Sequence, residues 1–235
     1  VTARAAPLTP HGYFITGTDT GVGKTLIACA LLHAFAARGL RVAGMKPVAA
    51  GAEWRNGTLI NEDVEYLTAA SNVNAPRKLV NPYCLEPPIA PHIAAALAGV
   101  QISINHLIEC YEQLSALADV VMVEGAGGFC VLLNPGETFA DLATALNLPV
   151  ILVVGMRLGC INHALLTAQA IRACGLTLAG WIANHIDPAM AQADANVTTL
   201  QACLDAPLIA RIAHQAQAAR APSALAASFD LSAIS

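Results

Sequence analysis

Residues 17–25 read GTDTGVGKT, from Gly17 to Thr25, and this stretch decides the fold. It follows a short apolar run, Tyr13-Phe14-Ile15, and opens onto an Ala/Leu-rich segment. A strand, a glycine-rich loop and a helix in that order make the setting of a phosphate-binding loop. The first backbone N–H groups of a helix have no intrahelical acceptor, and the helix dipole puts its positive end there. Gly21 and Gly23 allow the backbone to curl round an anion where a Cβ would collide. Lys24 brings a full positive charge to the outer phosphates, and Thr25 brings a hydroxyl suited to Mg²⁺, a hard cation that prefers oxygen. The spacing is a variant of G-x-x-x-x-G-K-[ST]. Counting back from Gly23, the first glycine position holds Thr18, and Gly17 lies one residue earlier. The loop implies a nucleoside triphosphate with Mg²⁺ and leaves open what the energy is used for.

The rest of the composition bounds the answer. A chain of 235 residues suits one α/β domain. Apolar residues make up 56% and charged residues 12%, so a core is easily filled, and the Ala-rich surplus points to surface buried against another subunit. A net charge of −4 argues against a broad nucleic-acid footprint. No apolar run reaches the roughly 18 residues of a membrane span, and no secretory pattern opens the chain, so a cytoplasmic protein is expected. The seven cysteines (29, 84, 110, 130, 160, 174 and 203) are odd in number with none at CxxC spacing. They read as small core residues of a reduced protein, not as a disulfide framework or a zinc site.

Along the chain, residues 1–11 read as a loose tail. A strand is expected at 12–16 and a helix at 24–38, with Leu26, Ala30, Leu31, Ala34 and Phe35 as its buried stripe. A second strand at 41–45 runs into Lys46-Pro47-Val48. That places Lys46 at the carboxyl end of a strand, on the sheet edge where ligands collect in open α/β folds. The flanking strand, Pro47 and Gly51 favour a functional lysine over a solvated one. Residues 52–62 read as loop, leading through Asn61-Glu62-Asp63 into a helix. Asp63 either caps that helix or reaches a metal, and on the residues alone the cap is preferred. The four prolines in 79–92 predict irregular backbone of functional use, with His92 packing, capping or catalytic.

The second strong signal is the apolar run from Asp119 to Glu124, followed by Gly125-Ala126-Gly127-Gly128. It reads as a buried parallel strand ending in an acid, where a phosphate-loop enzyme places its second metal contact. Helices are expected at 103–117, 139–146, 163–173 and 191–204, and strands at 148–155, 176–184 and 207–212. Asn162 stands where an N-cap belongs, at a helix start that also suits a carboxylate. Asn184 ends a strand on the ligand edge, and its amide fits either an adenine edge or a turn. The Ala-rich tail after His214 is a helix or loose chain. The alternation predicts an α/β fold of the P-loop NTPase type, a mostly parallel sheet with helices on both faces.

Together, GTDTGVGKT at 17–25, KPVAAG at 46–51, NPY at 81–83, PH at 91–92, VEGAGG at 123–128, LPVILVVGMRLGCINHALLTAQAI at 148–171 and LAGWIAN at 178–184 resemble the dethiobiotin synthetase family, in order, over residues 12–212. The resemblance implies a homodimeric, Mg²⁺- and ATP-dependent ligase. Such an enzyme closes a cyclic urea on 7,8-diaminononanoate with CO₂, through a carbamate and a carbamic–phosphoric anhydride, releasing ADP and phosphate. It implies that Lys24 and Lys46 neutralise phosphate and carbamate charge, and that Thr20 bonds near the transferring phosphoryl group. Thr25, Asp63 and Glu124 would hold Mg²⁺, which overrides the cap preferred for Asp63. Gly21, Val22, Gly23, Lys24, Thr25 and Leu26, with Gly125, Ala126 and Gly127, would surround the nucleotide, and Asn184 and His185 would face its base. Lys46, Ala50, Cys160, Ile161 and Asn162 would meet the substrate, the last three at its carboxylate across the dimer interface.

Two departures from the family pattern stand out. Ala50 replaces a frequent hydroxyl residue, removing a side-chain hydrogen bond to the diamine or carbamate. The Pro-aromatic pair that often holds the base is replaced by Ala213-His214-Gln215, which bears on nucleotide preference. Two rival readings remain. An amide-forming ligase for corrinoid acids usually appends a glutaminase domain, for which this chain is too short. A ParA-like ATPase switch commonly carries an extra lysine early in the loop, and 17–23 contains none.

Overall fold

The computed structural model describes residues 12–214 and 221–234. The expected tail at 1–11 and Gln215 lie outside the described residues.

Six strands form one all-parallel sheet: β1 (Gly12–Gly17), β2 (Val42–Met45), β7 (Val120–Glu124), β8 (Val150–Gly155), β9 (Leu178–Asn184) and β10 (Leu208–Ile212). Their order across the sheet is β10-β9-β8-β1-β7-β2. The strands read as near-continuous apolar runs because both faces of the sheet are covered. Alternation in β1 divides the core: Phe14 packs into one layer, Tyr13 and Ile15 into the other. The first layer is filled from α5 (Ile104–Ser115), α6 (Phe139–Leu146), α7 (Cys160–Ala173) and α8 (Ala193–Cys203). The second layer holds α1 (Lys24–Ala36) and the apolar side of α2 (Glu62–Ala70).

Several local expectations are corrected. Helix α1 is not striped. Ile27 to Leu32, Ala34 and Phe35 are all buried while Leu26 is only half-buried, because the chain's last turns close over the side facing away from the sheet. Those turns are α9 (Pro222–Leu225) and two 3₁₀ turns, Ala226–Ser228 and Leu231–Ile234, which bury Leu225, Phe229, Leu231 and Ile234. Residues 52–62 are not plain loop. They hold an antiparallel hairpin, β4 (Glu53–Arg55) and β5 (Thr58–Ile60), turned at Asn56-Gly57 with positive φ at both (52° and 77°).

The proline-rich 79–92 segment is also more ordered than its composition suggests. The helical turn α3 (Arg77–Val80) enters it, β6 (Tyr83–Leu85) pairs in parallel with β3 (Val48–Ala50), and α4 (Pro91–Leu97) starts on a proline. His92 is the second residue of α4, whose N-cap is Ala90, so His92 does not cap it. Helix α7 begins at Cys160, three residues early, with Gly159 as its N-cap at φ 92°, so Asn162 sits inside the first turn and caps nothing. Of the seven cysteines, Cys29, Cys110 and Cys160 are buried, whereas Cys130 and Cys203 are exposed.

Candidate active site

Strand register places the site. Along the carboxyl edge of the sheet, Met45 pairs with Val123, Ile15 with Glu124, Gly17 with Val153 and Gly155 with Asn184. Lys46, Glu124, the phosphate loop and Asn184 therefore stand side by side where β2, β7, β1, β8 and β9 end. β1 lies at the switch point of the sheet, with β7 on one side and β8 on the other.

The loop at 17–25 is held near both of its ends, by β8 and β9 on one side of β1. Thr18, which occupies the variant position, donates its N–H to Val153 O (3.0 Å) and accepts the Gly155 N–H on its hydroxyl (3.3 Å). Further along the loop Asn184 Nδ2 donates to Val22 O at 2.8 Å. Gly23 has φ 90°, and a Cβ on it would lie 2.3 Å from Asn184 Nδ2, so only glycine fits between the loop and β9. Asn184 is thus engaged with the loop backbone, a use distinct from the base contact expected of it.

The charged centre is a compact knot. Lys46 is 4% exposed; its ammonium donates to Glu124 Oε1 (2.6 Å) and to Gly125 O (3.3 Å), and pairs with Asp63 Oδ2 (3.1 Å). The Thr25 hydroxyl donates to the same Glu124 Oε1 at 2.8 Å. Glu124 is fully buried, and its second oxygen, Oε2, has no hydrogen-bond partner. Burial opposes the charge on Lys46, but Glu124 and Asp63 lift its pKa above the ordinary lysine value. Burial raises the Glu124 carboxyl against the pull of Lys46. Burial also works against Asp63, yet Lys46 and hydrogen bonds from Thr25 and Lys46 hold its carboxyl below the usual range. Lys24, buried beside this knot, donates to Asp19 O at 2.9 Å. Burial first, and then the Lys46 charge, lower its pKa to about 8.

Asp63 is not the cap of α2. Asn61 is, accepting the N–H groups of Asp63 (3.1 Å) and Val64 (3.4 Å) while its amide donates to Ala50 O (3.2 Å). That frees the Asp63 carboxylate to face Lys46 from the helix start. After β7, Gly127 approaches Thr20 of the phosphate loop: a Cβ there would come 3.5 Å from Thr20 Oγ1. Asn81, the first residue of the NPY segment, carries no role in the sequence pattern but has one in the structure. Asn81 is buried and donates to Lys46 O (2.7 Å) and Tyr83 O (3.0 Å), while the Lys46 N–H donates to Val80 O (2.8 Å). An asparagine followed by a proline after an apolar turn was the available signal.

The remaining expected residues lie at the rim. In the first turn of α7, Cys160 is buried with its N–H on Arg157 O (3.0 Å), Ile161 is half-buried and Asn162 is exposed. His185 donates its N–H to Ile212 O (2.9 Å), and burial lowers its imidazole pKa. His185, Asp187, Arg211, Ala213 and His214 line a depression beyond Asn184.

Chemically, the knot offers two ammonium groups, two carboxylates and a hydroxyl around one point beside a helix N-terminus. Among the described residues no group of three or more His, Cys, Asp or Glu is arranged to hold a metal. Thr25, Asp63 and Glu124 nonetheless fit a hard cation completed by phosphate and water. All three donate oxygen, and the unpartnered Glu124 Oε2 is a buried acceptor in want of a partner.

Comparison with known proteins narrows the reading. A family model described as an AAA domain matches residues 11–221. The ATP-dependent dethiobiotin synthetase BioD of Aromatoleum aromaticum is 56% identical over 222 residues, covering 94% of this chain and 98% of the relative. The protein of the same name from Nitrosospira multiformis is 60% identical over 198 residues, covering 84% and 86%. Among solved structures, the MinD cell division protein of Aquifex aeolicus aligns with a TM-score of 0.54 at 18% identity over 95% of this chain and 92% of that one. The signal recognition particle receptor FtsY of Elizabethkingia anophelis, in complex with GDP, aligns at 0.51 and 15% identity over 92% and 61%. These two likenesses carry the fold alone. Relatives more than half identical over nearly the whole chain carry more, and on that ground this chain belongs to the ATP-dependent dethiobiotin synthetase family.

Proposed function

We propose that this chain is an ATP-dependent cyclo-ligase of biotin synthesis that joins 7,8-diaminononanoate and CO₂ into the cyclic urea of dethiobiotin. One amine captures CO₂ as a carbamate, and a carbamate oxygen then attacks the γ-phosphorus of ATP, releasing ADP. The second amine attacks the carbonyl of the resulting carbamic–phosphoric anhydride, forming the second C–N bond and expelling phosphate. A carbamate is a poor electrophile because its carbonyl is conjugated with an anionic oxygen, and phosphorylation turns that oxygen into a leaving group.

The observation that carries this reading is the Lys46 ammonium, buried between Glu124 and Asp63, with β7 between its strand and that of the phosphate loop. A nucleotide switch has no evident use for it, whereas a reaction that gathers phosphate and carbamate anions needs a cation held there. Lys46 receives the carbamate, and Lys24, turning from Asp19 O, meets the phosphates with the loop N–H groups. Thr20 steadies the transferring group. Thr25, Asp63 and Glu124 would hold Mg²⁺, which when bound neutralises triphosphate charge. Asn184 and His185 border the base.

The chain acts as a homodimer in the cytoplasm. The first turn of α7, at Cys160, Ile161 and Asn162, takes the carboxylate tail of a diamine bound mainly by the other subunit. The fully exposed Leu158 and the exposed Leu166 beside that turn supply apolar contact for such an interface. No helix among the described residues is long and apolar enough to cross a membrane. The test is isotopic. With doubly ¹⁸O-labelled CO₂, one labelled oxygen is expected in the released phosphate and the other in the urea. Unlabelled phosphate would mean that water, not carbamate, attacks ATP.

A further inference from the structure

Every charged group of the central knot has a part in the proposed reaction, whereas an ion pair at its rim has none. Arg157 lies between β8 and α7, and its guanidinium bonds Asp19 Oδ2 in the phosphate loop. The other Asp19 oxygen accepts the Thr20 N–H at 2.7 Å, and the Asp19 carbonyl accepts Lys24 Nζ at 2.9 Å. One residue thus ties a neighbouring loop, the next peptide and the loop lysine together.

The location makes this pair matter. The start of the phosphate loop is fixed by Thr18 against β8, and its end by Asn184 on Val22. Between those anchors, Thr20 and Gly21 are exposed and the backbone bulges outward. The Asp19 carbonyl ties that segment to Lys24, and its carboxylate ties it through Arg157 to the β8–α7 connection. A guanidinium is suited to this because its planar fork sets direction as well as charge.

We infer that Arg157 is a positioning residue for nucleotide binding. Through Asp19 it holds the Asp19–Thr20 segment in place, and so sets where Lys24 and Thr20 meet the phosphates. The inference rests on ATP occupying residues 17–25. It does not depend on which acceptor the phosphoryl group reaches.

The experiment compares Arg157→Met, Arg157→Lys, Asp19→Asn and the Arg157→Met/Asp19→Asn double variant. The readouts are the Kd for a non-hydrolysable ATP analogue with Mg²⁺, the KM values for ATP and for diamine, and Tm. Arg157→Met is expected to raise the analogue Kd and the ATP KM by roughly three- to fivefold, the range of a partly exposed pair. The diamine KM stays unchanged and Tm moves less than about 2 °C, as for a surface substitution. Arg157→Lys recovers part of the loss. Asp19→Asn reproduces it, and the double variant adds nothing further, because both residues act through one contact.

Unchanged analogue binding in Arg157→Met would overturn the inference, leaving a surface ion pair without consequence. Additive losses in the double variant would overturn it as well, since Arg157 would then touch the nucleotide itself. So would a defect confined to the diamine KM. A wild-type enzyme that turns over ATP without diamine would remove the ligase reading and leave this inference standing, so the two fail separately.

Discussion

In the proposed reaction the chemistry turns on Lys46. Its ammonium is buried with both carboxylates of the knot around it, and its backbone is held at N–H by Val80 O and at C=O by Asn81. A side chain so placed supplies charge without having to be ordered at the moment of reaction. Lys46→Ala is expected to lower cyclisation about 100- to 1,000-fold while binding of an ATP analogue stays measurable. Near-normal turnover in that variant would refute the role. The same residue shows how far sequence reading reached. Lys46, Lys24, Thr25 and Glu124 were legible because each follows an apolar strand or a glycine-rich loop. The place of Asp63 beside Lys46 was legible only through family resemblance, because an acid near a helix start reads first as a cap. The structure gives the cap to Asn61, two residues earlier. Asn81 was missed because its work is to bind backbone, which leaves no charge pattern behind.

At the scale of elements, α6 shows local sequence sufficing. Its start is a capping box: the Thr138 hydroxyl accepts the Asp141 N–H (3.4 Å), and Asp141 Oδ2 accepts the Thr138 N–H (2.7 Å). Hydrogen bonds from Thr138, side chain first and then backbone, hold the Asp141 carboxyl below the ordinary aspartate range. Because the folded value is depressed, this contribution is complete above the unfolded pKa near 3.9 and is lost as pH falls through the folded value. Thr138→Ala is expected to cost about 1 kcal/mol, a fall in Tm of roughly 2–4 °C at neutral pH. The difference from wild type should shrink as the pH is lowered below that point. A difference that is zero at pH 7, or grows toward acid, would contradict the capping role.

Other elements were illegible for physical reasons. The strands of the 53–60 hairpin are three residues each, too short for alternation to register, although Asn56-Gly57 marked the turn. The start of α7 was displaced because Gly159 caps it through backbone conformation, with no side-chain signal.

For the molecule as a whole, the sheet was legible and its cover was not. Apolar strands ending in Gly17, Lys46, Glu124 and Asn184 pointed to a parallel sheet with one functional edge. Nothing in an Ala-rich tail announced that residues 222–234 close the outer side of α1. The burial of Leu225, Phe229, Leu231 and Ile234 contributes about 1.5–3 kcal/mol apiece. The Tyr13 hydroxyl reaches from β1 to Ile234 O, so the first strand and the last turn are joined. A chain ending at His214 is expected to lose most of its stability, with a fall in Tm well beyond 10 °C or loss to aggregation. Unaltered melting of that truncation would show the cover to be dispensable.

One edge of the molecule carries a phosphate loop, a buried lysine and two carboxylates, and phosphate release tests most directly what they do together. Phosphate release should be followed with Mg²⁺ and ATP alone, then with 7,8-diaminononanoate and CO₂ added singly and together. Release is expected to be near background until both are present, and then to match dethiobiotin formed, one for one. ATP turnover at the same rate without the diamine would contradict the ligase reading and favour a nucleotide switch.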